Sequence, residues 1–365
     1  MTKLNLLLLF GGRSGEHAVS LMSAGSIIAA IDAEKYSVHQ VGITQDGVWL
    51  TGEHTLQVFK NDSTNNLHEA ILVNESGSVN LYTRIENLLS LVTPIDIIFP
   101  VLHGTFGEDG TIQGLFEILD VAYVGAGVLA SSVSMDKSTT KHIIESEGIP
   151  VLAYDTYSRR EINTDIQAVM NRCEAIAPYP LFVKPANLGS SVGITKAHNR
   201  AELEIGLNIA RRYDRRVIVE KGISAREIEI SVIGNDQPIH SVPGEVIPDA
   251  EFYTYQDKYY NGEAELCIPA PLTDQQTSLV QNYAIQAFKS LDCSGLARVD
   301  FLMDKLTDDI YFSEINTMPG FTDISMFPKL WKVCGLSYPE LVDRLIDLAF
   351  ERKAERDETV RRFEG

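Results

Sequence analysis

Short apolar runs alternate with amphipathic helical patterns in the first third of the chain. The apolar runs at residues 4–10, 38–43 and 97–101 predict strands, and the segment 19–31 predicts a helix. Alternation of strands and helices is typical of a parallel sheet with helices on its faces. We therefore predict an α/β unit over residues 1–125.

The pattern changes after residue 125 and predicts two further units, over residues 126–223 and 224–365. The second unit contains one predicted helix and three short predicted strands: residues 135–147, 181–184, 194–195 and 217–220. The third contains a predicted strand, a tyrosine-rich polar loop, a long helix, two apolar segments with alternating charges and a closing helix: residues 227–234, 252–263, 273–291, 297–301, 310–316 and 338 onwards. The prediction is an α/β chain, in part α+β, with three domains.

The charge of the chain restricts its partners. Its 365 residues carry 31 Lys and Arg against 50 Asp and Glu, a formal net charge of −19. Such an excess repels a phosphate backbone or an acidic membrane, so we expect no nucleic-acid and no membrane partner. ATP is not excluded as a ligand, because a few nearby lysines can outweigh the repulsion from acidic residues farther away.

The apolar opening and the cysteines bear on localisation. The opening is too short to span a membrane and lacks a cleavage site, and none of the four cysteines forms a Cys-x-x-Cys pair. These features predict a cytoplasmic protein with reduced, mostly buried thiols and no zinc site.

Two apolar segments near the C-terminal end carry alternating polar residues. Arg298 and Asp300 lie two apart in one segment, and Glu314 and Asn316 repeat the spacing in the other. Residues two apart on a strand share a face, so two adjacent strands would aim these side chains at one point. Oxygen ligands beside a fixed cation suit magnesium ions that carry a polyphosphate. The alternative is a solvated strand face with surface ion pairs.

Two glycine-containing loops follow predicted strands in the first unit. In the segment 10–20, glycines before a helix free backbone amides for an anion, and Glu16 suits an ammonium group, so the site fits an amino acid. In the segment 103–111, His103 lies at the carboxyl end of a strand, where open α/β sheets place ligands. A plain strand-to-helix turn and a helix-capping loop are the respective alternatives.

The second unit offers groups that suit a nucleotide. Lys184 ends a predicted strand, and the loop 189–193, Gly-Ser-Ser-Val-Gly, leads into the next. Its small residues let donors approach phosphate oxygens, although it is not a Walker A loop, because it joins strands and lacks Gly-Lys-[Ser/Thr]. A hairpin without a role is the alternative. At a later strand end, that of Glu220, backbone groups would suit an adenine edge and Glu227 a ribose; an ordinary acidic strand end is the alternative.

Five motifs together resemble the D-alanine–D-alanine ligases of the ATP-grasp superfamily, from Leu6 to about Ile346. They are Gly11-Gly12-x-Ser14-x-Glu16-His17-x-Val19-Ser20, His103-Gly104-x-x-Gly107-Glu108-Asp109-Gly110, Met135-Asp136-Lys137, Gly189-Ser190-Ser191-Val192-Gly193 and Glu314-Ile315-Asn316-Thr317-x-Pro319-Gly320-Phe321-Thr322. The resemblance implies a three-domain ATP-grasp architecture with an N-terminal substrate-binding domain. It also implies that two D-alanines are joined through a D-alanyl phosphate, with ATP and two Mg²⁺ or Mn²⁺ ions, for peptidoglycan precursor synthesis.

The resemblance assigns a role to each matching residue. Those implied to bind ATP are Lys137, Lys184, Glu220, Lys221, Ile223, Glu227 and Lys258. Those implied to hold the metal ions are Asp300, Glu314 and Asn316. Those implied in catalysis are Glu16 at the first D-alanine, Ser190 and Tyr259 in closing the site, and Arg298 and Gly320 as the oxyanion site. Ser325 and Met326 are implied to meet the carboxylate of the second D-alanine. We add His103 as the group that accepts the amine proton.

The second substrate is open among relatives that use D-alanine, D-lactate or D-serine. Tyr259 after Lys258 resembles the dipeptide-forming members, so D-alanine is the prediction. Another ATP-grasp carboxylate–amine ligase is a further alternative. A nucleotide-binding module without turnover would lack Arg298 or a metal ligand, and the sequence lacks neither. The resemblance also implies a homodimer.

Overall fold

Three β-sheets organise the chain in the computed structural model, which describes residues 3–189, 192–247 and 265–361. The strands of each sheet lie within one of the three predicted units, whereas several helices pack across the predicted boundaries. The positions of those boundaries stay a prediction. Within the described ranges, no helix is long and apolar enough to cross a membrane.

The first sheet has eight strands. They are β1 (Leu4–Gly11), β2 (Tyr36–Ile43), β3 (Trp49–Thr51), β4 (His68–Glu75), β5 (Ser78–Ile85), β6 (Leu88–Ile95), β7 (Ile97–Val101) and β8 (Ala122–Tyr123). The helices of this unit are α1 (His17–Ala30), α2 (Thr55–Lys60) and α3 (Thr111–Leu119). The strand order is β6-β5-β4-β3-β2-β1-β7-β8.

This sheet is mixed, so the prediction of a parallel sheet is wrong for half of it. β1, β2, β7 and β8 are parallel, but β3 to β6 are antiparallel to their neighbours. The links between β4 and β5 and between β5 and β6 are two residues each, too short for the crossover that parallel strands need. The central strand β1 is buried on both faces, which explains its uninterrupted apolar run.

The second sheet has four antiparallel strands in the order β11-β10-β12-β9. These are β9 (Tyr154–Ser158), β10 (Leu181–Pro185), β11 (Thr195–Ala197) and β12 (Arg216–Lys221). The accompanying helices are α6 (Arg159–Thr164), α7 (Ile166–Glu174) and α8 (Arg200–Tyr213). Buried residues of these helices and strands form one apolar cluster on one side of the sheet, which leaves the other side for polar residues.

The third sheet follows the order β16-β15-β13-β17-β18, with β14 paired to β13. Its strands are β13 (Ala225–Gly234), β14 (Ile239–His240), β15 (Gly244–Ile247), β16 (Glu265–Cys267), β17 (Gly295–Asp304) and β18 (Ile310–Asn316). The helices of this part are α9 (Asp274–Ser290), α10 (Met326–Val333) and α11 (Tyr338–Asp357).

Two helices lie between the first and second sheets in sequence, α4 (Val128–Met135) and α5 (Lys137–Ser146). The single helix predicted at residues 135–147 is therefore wrong at its start. The chain breaks at Asp136, whose side chain accepts a hydrogen bond from the Thr139 N–H and caps α5. Both helices pack on the third sheet, because their apolar residues share its buried cluster.

The first and third units share a core. Leu341 and Leu345 of α11 lie in the same buried cluster as Phe99 of β7, and Phe321 packs against Phe99 with 6.0 Å between ring centroids. The segment that precedes α10 is therefore held against the first sheet. This contact brings loops of both units to one place.

All four cysteines are free thiols, and all lie in the described ranges. Cys173 and Cys293 are buried, Cys267 is half-buried and Cys334 is exposed. The prediction that most of the thiols are buried holds for two of the four.

Candidate active site

A charged face of the third sheet is built by β17 and β18, which pair antiparallel. Arg298 lies opposite Asn316, and Asp300 lies opposite Glu314. Residues paired directly across an antiparallel ladder project from the same face, so these four side chains share one side of the sheet. The register shifts after Asp300, where β18 contributes the extra residue Ser313. The predicted pairing of the two segments is confirmed.

The opposite face of these strands is apolar. Val299, Phe301, Phe312 and Ile315 are buried in the cluster that includes α9. Successive side chains on a strand point to opposite sides of the sheet. Because the apolar residues are buried on one side, the charged residues between them must lie on the other.

Arg298 is held in place by carboxylates. Its Nε and Nη2 donate to Asp300 Oδ1 and Oδ2, both at 2.7 Å, and its Nε lies 3.1 Å from Glu229 Oε2. Asn316 Nδ2 donates to Asp300 Oδ2 at 3.0 Å. Burial works against the charged form, but the charges of Asp300, Glu229 and Glu314 raise the pKa of Arg298 well above its ordinary value. The guanidinium is therefore a permanent cation in a fixed orientation.

The donors on this face suit a hard cation. In the part of the chain that the structure describes, no three His, Cys, Asp or Glu residues cluster as a metal site. The candidate set is instead two carboxylates and one amide oxygen, from Asp300, Glu314 and Asn316. Mg²⁺ commonly uses one or two carboxylates and completes its six ligands with phosphate oxygens and water. The residues therefore fit a magnesium ion that arrives with a polyphosphate.

A second charged cluster lies on the second sheet. Glu220 of β12 pairs with Phe182 of β10, so it shares a face with Lys184 two residues along. Lys184 Nζ donates to Glu220 Oε2 at 2.6 Å, and Lys141 Nζ of α5 lies 3.0 Å from Glu220 Oε1. Burial raises the pKa of Glu220, but the two ammonium groups prevail and lower it to about 2. Glu220 is a buried carboxylate that stays ionised.

Lys137 connects the two charged faces. It is the first residue of α5, and its Nζ lies 3.3 Å from Glu314 Oε2 and donates to the Leu188 carbonyl at 2.8 Å. Burial lowers the pKa of Lys184, but Glu220 and, to a smaller extent, Glu314 raise it above its ordinary value. Lys184 of the second sheet and Lys137 of α5 thus lie beside the carboxylates of the third sheet in one cleft.

Glu16 lies where three loops meet. It precedes α1, and its carboxylate packs against Gly104 in the loop after β7 and against Gly189 in the loop after β10. A Cβ on Gly104 would clash with Glu16 Oε2, and Gly104 has φ +74°, a conformation that favours glycine. The two glycines therefore let the carboxylate approach the cleft.

His103 joins the first unit to the segment before α10. Its Nδ1 lies 2.9 Å from the Met318 carbonyl, which can only accept, so Nδ1 carries a proton. Its Nε2 lies 3.1 Å from Ser23 Oγ, and Glu108 Oε1 lies 3.9 Å from Nδ1. Burial opposes the charged form, but the nearby carboxylate of Glu108 raises the pKa of His103 on balance. Both ring nitrogens have protein partners, so accepting a substrate proton requires one of these bonds to break.

Glu108 shares this buried pair with His103. Burial raises the pKa of the Glu108 carboxyl to about 7, although the neighbouring His103 ring opposes that shift. The Glu108 carboxyl therefore titrates near neutral pH beside the His103 ring.

Gly320 and Ser325 lie close together before α10. Ser325 precedes the helix, and its Oγ lies 2.7 Å from Thr322 Oγ1 and accepts from the Thr322 N–H at 3.2 Å. A Cβ on Gly320 would lie 3.1 Å from Ser325 Oγ. The Met326 side chain is buried and packs against Gly244, so this residue offers its backbone to the cleft rather than its side chain. Backbone N–H groups at a helix N-terminus suit a carboxylate.

The remaining predicted site residues are less central or are not described. Ser190, Lys258 and Tyr259 lie outside the described ranges. Lys221 is exposed at the end of β12, where its backbone N–H donates to Ala153 O at 2.9 Å. Ile223 is half-buried in the link between the second and third sheets.

Three residues of the cleft were absent from the predicted set. Lys141 follows Lys137 by four residues, the spacing that places two side chains on one helix face. Glu229 follows Glu227 by two on a strand, and it lies opposite Asp300. The third, Glu108, stands in the predicted His103 loop. The periodicity of the sequence could have identified Lys141 and Glu229. Only the fold shows that Glu108 lies next to His103.

Comparisons with known proteins show the family to which the chain belongs. The family model of the D-ala D-ala ligase N-terminus matches residues 5–126, and that of the C-terminus matches residues 143–347. A D-alanine–D-alanine ligase of Acetivibrio thermocellus is 47% identical over 365 residues, which cover 96% of each chain.

Two solved structures share the fold over nearly their whole length. The D-alanine–D-alanine ligase of Coxiella burnetii has a TM-score of 0.84 at 35% identity and covers 98% of this chain and 97% of its own. The VanG D-Ala:D-Ser ligase of Enterococcus faecalis has a TM-score of 0.83 at 33% identity and covers 95% of this chain and 100% of its own.

Proposed function

The chain belongs to the D-alanine–D-alanine ligase family, and from this premise we propose that it joins two D-alanine molecules to D-alanyl-D-alanine in an ATP-dependent reaction. The product is a peptidoglycan precursor. The observation that carries the proposal is the cleft in which Lys137 contacts Glu314 while Arg298 is held by Asp300. In this proposal Lys137 binds phosphate and Arg298 binds the oxyanion, and both lie beside the same proposed metal ligands.

ATP lies between the second and third sheets in this proposal. Lys137 and Lys184 contact its phosphates, and Lys258 joins them. Glu220 and the backbone around Lys221 and Ile223 receive the adenine, and Glu227 receives the ribose. Support comes from Glu220 Oε1, a buried carboxylate oxygen that lies 3.0 Å from the Lys141 ammonium group and has a second lone pair for a further donor. A buried acceptor of this kind suits the amino group of adenine.

Asp300, Glu314 and Asn316 would hold two Mg²⁺ or Mn²⁺ ions. When bound, the ions neutralise charge on the transferred phosphoryl group. Lys137, which already contacts Glu314, links the metal ligands to the phosphates. Arg298 orients the Asp300 carboxylate through two hydrogen bonds.

The first half-reaction activates a carboxylate. Glu16 binds the ammonium group of the first D-alanine, and Ser190 and Tyr259 close the site around it. A carboxylate oxygen of this D-alanine attacks the γ-phosphorus of ATP, the bond to ADP breaks, and D-alanyl phosphate forms.

The second half-reaction forms the peptide bond. Ser325 and the backbone of Met326 bind the carboxylate of the second D-alanine, whose amine loses a proton and attacks the acyl carbon. Arg298 and the Gly320 N–H stabilise the oxyanion, and phosphate leaves as the carbon–oxygen bond breaks. His103 is the proposed proton acceptor, after release of its bond to Ser23.

We further propose the organisation of the molecule. Residues 1–125 form the substrate-binding domain, and residues 126–223 and 224–365 form the two ATP-grasp domains. The protein is a cytoplasmic homodimer. Size-exclusion chromatography with light scattering tests the dimer, and a mass equal to one chain would contradict it.

The test of the reaction is the release of phosphate with ATP, Mg²⁺ and D-alanine. We expect the rate to rise with D-alanine and the product to be D-alanyl-D-alanine by mass spectrometry. A rate that does not depend on D-alanine would reject the proposal. Replacing Mg²⁺ by EDTA should stop the reaction, and Mn²⁺ should restore it.

The VanG likeness makes D-serine a second candidate for the amine substrate. Incubation with D-alanine, D-serine and D-lactate in competition separates the possibilities by the mass of the product. We expect D-alanyl-D-alanine to dominate; a mixed product as the main species would identify a D-serine or D-lactate ligase.

A further inference from the structure

Lys141 is a buried lysine at the junction of three elements. It lies on α5, its side chain is 3% exposed, and its Nζ donates to the Phe312 carbonyl of β18 at 3.4 Å. The same Nζ lies 3.0 Å from Glu220 Oε1 of β12. Because both partners lie inside the protein, the ammonium group is anchored behind the nucleotide cleft.

Glu220 therefore has a lysine on each carboxylate oxygen. Lys184 occupies Oε2 at 2.6 Å, and Lys141 stands at Oε1. The two lysines differ in exposure, because the Lys184 side chain is 16% exposed whereas that of Lys141 is 3% exposed. Of these two lysines, Lys184 is the one that reaches the cleft in which nucleotide phosphates would lie.

The charges of this group explain why two lysines are present. With Lys184 alone, the pair would be neutral, and turning Lys184 toward a phosphate would leave a buried carboxylate without a counter-ion. An unpaired buried charge is strongly unfavourable. With Lys141 in place, Glu220 keeps a partner when Lys184 moves.

We propose that Lys141 is a positioning residue that serves as the permanent counter-ion of Glu220, so that Lys184 is released to the ATP phosphates while Glu220 stays oriented for adenine. The inference rests on the proposed nucleotide site. Burial lowers the pKa of Lys141 on balance, although the charge of Glu220 opposes this shift.

The test compares Lys141→Met with the wild-type protein at varied ATP. Methionine keeps most of the side-chain volume and removes the charge. We expect KM for ATP to rise about tenfold or more, whereas KM for D-alanine and kcat at saturating ATP change by less than about threefold. Lys141→Arg, which keeps the charge, should restore most of the affinity for ATP.

A double-mutant cycle shows whether Lys141 acts through Glu220. In a Glu220→Gln background no carboxylate needs a counter-ion, so Lys141→Met should change KM for ATP by less than about twofold. An equal rise in both backgrounds, or an unchanged KM in the single variant, would overturn the inference.

A matched control separates this role from the stability of α5. Ile144 is fully buried on the same helix in an apolar cluster. Ile144→Val should lower the melting temperature and leave KM for ATP unchanged; a rise equal to that of Lys141→Met would reduce Lys141 to a structural role and overturn the inference. If Lys141→Met does not fold, Lys141→Gln provides the same comparison.

Binding of ATP, measured without D-alanine, tests the role of Lys141 independently of the proposed ligation reaction. The rise in melting temperature caused by ATP and Mg²⁺ without D-alanine requires no turnover. If the wild-type protein shows this rise but forms no dipeptide, the proposed function fails and Lys141 is still tested. A Lys141→Met variant with the wild-type rise would overturn the inference alone.

Discussion

Arg298 and Asp300, two residues apart on one strand, are joined by two hydrogen bonds of 2.7 Å. The proposed oxyanion-binding cation therefore orients the proposed metal ligand, and each restricts the other. Asn316 adds a third bond to the same carboxylate. Because these groups hold one another, the two proposed half-reactions would share one framework on β17 and β18.

Arg298→Lys should reduce kcat about 100-fold or more. Lysine keeps a charge but cannot form the paired bonds of the guanidinium, so both the oxyanion contact and the orientation of Asp300 are lost. Steady-state phosphate release measures the effect. Arg226 makes a similar paired contact with Glu245 away from the cleft, so Arg226→Lys is a matched control, and equal losses in both variants would contradict the assignment.

Glu314→Gln should lower the turnover rate by more than about 100-fold and leave the protein folded. The amide keeps the shape of the side chain but removes the charge that would bind a cation. ADP release and circular dichroism measure the two effects. Asp308→Asn removes an exposed charge from the hairpin between the same strands and should leave the rate unchanged. Wild-type turnover in the Glu314 variant would exclude it as a metal ligand.

Glu16→Gln should raise KM for the first D-alanine by roughly ten- to a hundredfold. A charged hydrogen bond to a bound ammonium group contributes about 1.5–3 kcal/mol, and the amide keeps only part of it. KM for ATP should change less, because the lysines proposed to bind its phosphates lie on α5 and β10, whereas Glu16 precedes α1. Initial rates at varied D-alanine provide the measurement, with exposed Glu53→Gln as the control. A change in KM for ATP alone would place Glu16 elsewhere in the reaction.

Glu220 should make the protein sensitive to acid. Lys141 and Lys184 overcome burial and lower its pKa from the ordinary 4.5 to about 2 in the folded protein. Between these two pKa values, the folded state binds fewer protons than the unfolded state. The contribution of Glu220 to the free energy of unfolding is therefore complete above pH 4.5 and is lost as the pH falls toward 2.

Melting temperatures measured across that pH range test the acid prediction. Glu220→Gln should have a lower melting temperature at pH 7, because two lysines lose their partner, but a weaker pH dependence below 4.5. Exposed Glu34→Gln should retain the wild-type slope. An unchanged slope in Glu220→Gln would show that the ion pairs are not the cause.

The local predictions succeeded where periodicity was strong. The apolar run at residues 97–101 is β7, and the long helix predicted at 273–291 is α9, one residue shorter at each end. The alternation around Arg298 and Glu314 predicted two strands with a common charged face, and their register confirms it. Such patterns are visible in sequence because the period of a strand or helix is a local property.

The mixed first sheet and the break at Asp136 were not predicted. Short antiparallel strands depend on partners for their pairing, and Asp136 ends one helix and caps the next within a continuous helical pattern. In both cases tertiary contacts outweigh local propensity.

By itself the sequence determined the order of the elements, the charged strand faces and, through its motifs, the family. Only the tertiary structure decided which charges meet. Lys141 and Glu220 are 79 positions apart, yet their atoms lie 3.0 Å apart, and His103 meets Met318 across 215 positions. The physical reason is that contacts between distant segments arise from the packing of three sheets around shared apolar cores, which no local period encodes.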